Sequence, residues 1–146
     1  MSALEIAALR RLAVRVLRHQ AGPDADAAAL AVAARQVYDE LAGVLAPLIG
    51  QVGIDALAAR AVHLAQREYP WLAKAQNQEE TEGPLSHVSI SLEQQDPALA
   101  TEAAAAVLAT FTGLLVTMIG EPLTARLMRQ AWPDGFPDAG AEERRA

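Results

Sequence analysis

The chain has 146 residues, no cysteine, 52% hydrophobic but only 4% aromatic residues, and a net charge of −6. That length suits one domain with a single core. The missing cysteines exclude disulfides, thiolate metal ligands and thiol nucleophiles, and the acidic balance repels phosphate backbones, so no nucleic-acid partner is expected. Alanine and leucine supply most of the apolar content, which favours close-packed helices over sheets built from valine, isoleucine and threonine. The expected fold is an all-α, single-domain bundle of about five helices over residues 1–133, with 134–146 as a flexible charged tail.

Charge is spread unevenly. Residues 1–22 carry Arg10, Arg11, Arg15 and Arg18 against Glu5, leaving +3 there and −9 in the remainder. The arginines interrupt any apolar run, so no secretory leader is read here. Instead residues 3–20 fit an amphipathic helix, with Ile6, Leu9, Ala13, Val16 and Leu17 on one face and Arg11, Arg15 and Arg18 on the other. Gly22-Pro23 ends it, and Pro23 with Asp24 and Asp26 opens a second helix. The seam of that helix is Leu30, Ala34, Val37, Leu41, Val44 and Leu48.

Pro47 is expected to kink the end of the second helix, and Gly50-Gln51-Val52-Gly53 to form a turn. A third helix then runs from Ile54 to Tyr69, buries Ile54, Leu57, Ala58, Ala61, Leu64 and Ala65, and stops at Pro70. Trp71 and Leu72 fold back behind it. Residues 73–96 lose periodicity and read as one long irregular loop, with a short alternating segment at 87–92. Asp96-Pro97 opens the fourth helix and Glu121-Pro122 the fifth, which closes at Trp132-Pro133.

Residues 103–120 contain no ionisable group, a length at the lower limit for crossing a membrane. Much of the stretch is alanine and threonine, weak drivers of insertion, and no aromatic belt flanks it, so burial in protein is the expectation. Within it Ala105, Ala109, Gly113 and Thr117 form a row that admits a close neighbouring backbone. Two places also share a layout: an apolar helix ends in Ile-Gly at Ile49-Gly50 and Ile119-Gly120, and the next ends in an aromatic residue and proline. Alanine- and leucine-rich helices produce such coincidences readily; the alternative is an internal duplication, which requires the two Ile-Gly corners to superimpose in register.

No catalytic, cofactor or metal motif is readable. A carboxylate-bridged metal bundle needs Glu-x-x-His pairs, and neither Glu68 nor Glu102 begins one. His63 between Arg60 and Arg67 lacks the context of a phosphoryl acceptor and reads as a surface histidine. Glu68 falls on the apolar side of its helix, where a carboxylate must pair or reach solvent. The leading expectation is a cytoplasmic interaction or regulatory module, acting through helix faces on itself as a homodimer or on a protein partner, with Arg11, Arg15 and Arg18 as one such face. The alternative is a small-molecule-binding bundle, with Glu68 and Tyr38 as polar contacts under a lid at 73–96. A third reading is peripheral membrane attachment through the basic first helix, which lacks an aromatic anchor.

Overall fold

The structure, a computed structural model, describes residues 6–73 and 86–133. Those residues form an all-α bundle. The expected tail at 134–146 and positions 74–85 of the expected loop lie outside the described residues. Five helices carry the fold: α1 (Ile6–Ala21), α2 (Ala27–Ala65), α3 (Ser86–Glu93), α4 (Pro97–Ile119) and α5 (Glu121–Ala131), with a 3-10 turn at Pro70–Ala73.

Helix α1 forms as its periodicity dictates. Leu9, Ala13, Val16 and Leu17 are buried, whereas Ile6, at the helix start, is half exposed. The second and third expected helices are the two arms of α2, which meet at a kink with no four-residue turn between them. The helix runs through Pro47 and breaks only at Gly50, whose φ of 80° and ψ of 161° are non-helical, and it resumes at once. Proline removes one N–H and crowds the preceding turn, but the change of direction needs a conformation that only glycine reaches without strain. The expected four-residue turn at 50–53 is therefore a one-residue corner. Leu48, placed in the seam, is half exposed, and Leu45 is buried instead.

Segment 87–92, expected to be extended, lies in helix α3, whose Val88 and Leu92 are buried against the core. A short alternating segment with no sheet to join satisfies its backbone internally, and helix is the form that does so. The irregular stretch is correspondingly shorter than 73–96. Leu72 is buried behind the end of α2, as expected.

Helix α4 is the central rod, with every residue from 103 to 109 buried. Its threonines donate to the carbonyls one turn back, Thr110 to Ala106 at 2.8 Å, Thr112 to Leu108 at 3.0 Å and Thr117 to Gly113 at 3.3 Å. Polar side chains thus enter an apolar helix without unmet hydroxyls. By length and composition α2 and α4 could each cross a membrane, but 56% of the apolar window of α4 is buried in protein against 22% for α2.

The two halves of the bundle repeat with a spacing of 70 residues. Asp26 caps α2 by accepting from Ala29 N–H at 2.9 Å, and Asp96 caps α4 by accepting from the N–H groups of Ala98 and Leu99 at 3.2 and 3.4 Å. Twenty-three helical residues follow each cap (27–49 and 97–119) before Gly50 and Gly120, whose dihedrals agree closely, 80° and 161° against 92° and 155°. Val37, Gly43, Leu45, Ile49 and Leu57 recur as Val107, Gly113, Leu115, Ile119 and Leu127. Burial keeps the same register, with Leu45 and Leu115 inside, Leu48 and Met118 outside, and Ile54 and Thr124 inside beyond the glycine. The packing is exchanged between halves, since α1 packs on α4 and α3 packs on α2. The aromatic-proline ends at 70 and 133 fall seven residues out of this register, two turns of helix apart, so they keep the same face inward.

Candidate functional site

Of the four small residues of α4, Gly113 is the one against which a neighbouring helix is seen to lie. Ala105 and Ala109 are buried, and a Cβ on Gly113 would lie 3.3 Å from Ile6 Cδ1 and 3.8 Å from Leu9 Cδ1 of α1. Thr117, at the end of the row, is exposed. At Gly113 that neighbour is the first helix of the same chain.

Glu68 is not in a pocket. It ends α2 at the surface and pairs across the molecule with Arg10, whose Nη1 donates to Oε2 at 3.2 Å while Nη2 donates to Oε1. Its side chain is 50% exposed and that of Arg10 38%. Hydrogen bonding from Arg10 holds the Glu68 carboxyl below the usual carboxylate range, and the same contact raises Arg10. The chain turns after Ala65, which swings Glu68 off the apolar face, and α1 arrives with a cation there. A helical wheel carried through the end of the helix could not show this. The opposite charge of the N-terminal segment was the available signal.

Tyr38 lines a cleft between α2, α3 and α4, together with Ala34, Ala58, Val88, Val107 and Phe111. The cleft encloses about 20 Å³, room for roughly one water molecule. Phe111 closes one side, its ring edge-on to Tyr38 at 5.6 Å and 82°. Burial, with Asp55 and Asp39 adding repulsion, pushes the Tyr38 hydroxyl up to about 12. It therefore acts as a neutral hydroxyl throughout the physiological range.

A second, more polar crevice of about 180 Å³ lies at the surface, where Val16, His19, Gln20 and Glu40 meet Trp132 and Pro133. The Gln20 amide is engaged there, donating to Gln36 at 2.8 Å. His63 is exposed on α2, as expected. Among the described residues no three His, Asp or Glu side chains gather as a metal site would require.

Arg11, Arg15 and Arg18 line the exposed side of α1. Of the two alternative polar contacts, Glu68 lies in a surface ion pair with Arg10 and Tyr38 lines the cleft between α2, α3 and α4.

The feature that sequence reasoning missed is the corner of α2. Residues 41–54 carry no charge, yet Leu48 is 50% exposed, Val52 85% exposed, and Gly43, Pro47, Gly50 and Gln51 are exposed beside them. Reading 50–53 as a turn left the exposure of Leu48 and Val52 unnoticed. Compared with known protein families, curated proteins and solved structures, the chain matches none.

Proposed function

We propose that the chain is a small helical interaction module that works by presenting the corner of α2 to another protein surface. The observation that carries this reading is the exposure of Leu48 and Val52 within fourteen uncharged residues. Contiguous exposed apolar surface marks protein–protein interaction sites. The interior supports the same reading from the other side. A cleft with room for about one water leaves little for a small molecule to occupy.

A protein surface fits the corner better than a lipid one. The exposed acids Asp39, Glu40 and Asp55 flank it, and carboxylates repel anionic headgroups. No aromatic anchor lies between 41 and 54. Self-association in the cytoplasm as a homodimer is the simplest form of this contact.

Light scattering on the whole protein and on a Leu48→Glu/Val52→Glu variant tests it. Both positions are at the surface, so the variant keeps its helicity. A concentration-dependent dimer that the variant turns into monomer supports the reading. Equal association of the two proteins overturns it, as does binding to neutral vesicles that only the variant loses.

A further inference from the structure

Between Ala73 and Ser86 one covalent connection joins the two repeats, with α1 and α2 on one side and α3, α4 and α5 on the other. Among the described residues the core lies mostly between these halves rather than within them. Helix α1 packs more extensively on α4 than on its own neighbour α2, and α2 meets all three helices of the other half. Individual contacts agree. Ile6 and Leu9 lie over Gly113, the Tyr38 ring meets Phe111 edge-on, and the Trp132 indole donates to the Val37 carbonyl. Leu41 and Leu45 correspond to Phe111 and Leu115 across the repeat, and all four are at most 1% exposed.

We infer that the surface between the halves is a pairing surface for a second copy of this chain, with which it exchanges halves: the α1–α2 half of each copy packs on the α3–α5 half of the other. Three observations choose that occupant. Each half buries its apolar face chiefly on the other, so a half parted from its complement leaves that face in water. The halves also repeat, and mutual burial by repeats is the layout of an intertwined two-fold dimer joined into one chain. Finally, a single connection has to cross between copies. Each lobe of the exchanged dimer retains the contacts named above, so exchange is nearly neutral in energy and is driven by concentration, while its rate is set by separation of the halves. The inference is independent of the corner of α2 and adds a second mode of self-association.

Refolding of the whole protein from urea tests it. At low protein concentration the expected product is monomer. At high concentration a dimer joins it, with the monomer's circular dichroism, persistent on dilution and formed equally by Leu48→Glu/Val52→Glu. Complementation identifies the exchange. Leu41→Asp/Leu45→Asp breaks one half and Phe111→Asp/Leu115→Asp the other, and each variant alone is unfolded because charge enters the core without a partner. Refolded together, they rebuild one intact lobe of two, so about half of the wild-type helical signal returns, with both chains in one particle. A mixture that recovers no more than the two variants do separately overturns the inference. So does wild-type refolding that gives only monomer, or only a dimer that falls apart at once on dilution and is lost in Leu48→Glu/Val52→Glu, which leaves the corner reading standing.

Discussion

At the scale of single residues, glycines divide by backbone conformation. Gly50 and Gly120 hold positive φ with extended ψ, a region essentially closed to side chains, so Gly50→Ala or Gly120→Ala costs about 1–3 kcal/mol of stability in urea unfolding. Gly43 sits inside a regular helix with open space around it, and Gly43→Ala gains about 0.5–1 kcal/mol in the same assay. The Tyr38 hydroxyl titrates higher in the folded chain than in the unfolded one, so its contribution is complete below about pH 10 and is lost as pH rises toward about 12. Tyr38→Phe removes that alkaline loss from the stability profile. Glu68 shifts the other way, so its pair with Arg10 is present above the usual carboxylate range and fades as pH falls through it. Being exposed, the pair contributes no more than about 1 kcal/mol, and Glu68→Gln flattens the acid limb by that amount.

At the scale of elements, most of the helices were legible because apolar spacing, capping aspartates and prolines agreed. The Asp26 and Asp96 caps and the sealed 103–109 segment follow directly from residue type. What escaped were the junctions. Pro47 was expected to kink the helix end and 50–53 to form a turn, but the break falls at Gly50 alone, whose positive φ redirects the chain. Segment 87–92 alternates like a strand, yet its Val88 and Leu92 are four apart and fall on one helical face. The direction of Glu68 was hidden because a periodicity argument stops where the helix stops. Trp132 shows the same limit, since its indole donates to the Val37 carbonyl at 3.0 Å across 95 residues. Trp132→Phe loses that bond and some packing, and lowers the thermal midpoint with the end of α5 fraying first, readable by amide exchange.

For the whole molecule, the repeat sets two helical stretches of equal length and matching aspartate caps, 27–49 and 97–119, in different surroundings. Helix α4 is covered by α1 and becomes the core. Helix α2 carries charge at Arg35 and Asp39 where α4 has Ala105 and Ala109, and it keeps an apolar corner outside. The Ile-Gly likeness in the sequence left this repeat as the alternative reading. Its true register emerged only when the capping aspartates joined the glycines, because alanine-rich helices offer few other distinctive positions. The placement of the working surface was not legible, since exposure of Leu48 and Val52 depends on which way each arm of α2 turns after Gly50.

The most direct test of this account is residue-resolved amide hydrogen exchange, measured on dilute protein and again on concentrated protein. The account predicts slowest exchange at 103–115 of α4 in both samples, with protection gained on association confined to α2 between about residues 43 and 53. Strong protection of that corner in the dilute monomer, or protection gained around Tyr38 and Phe111 instead, would contradict it.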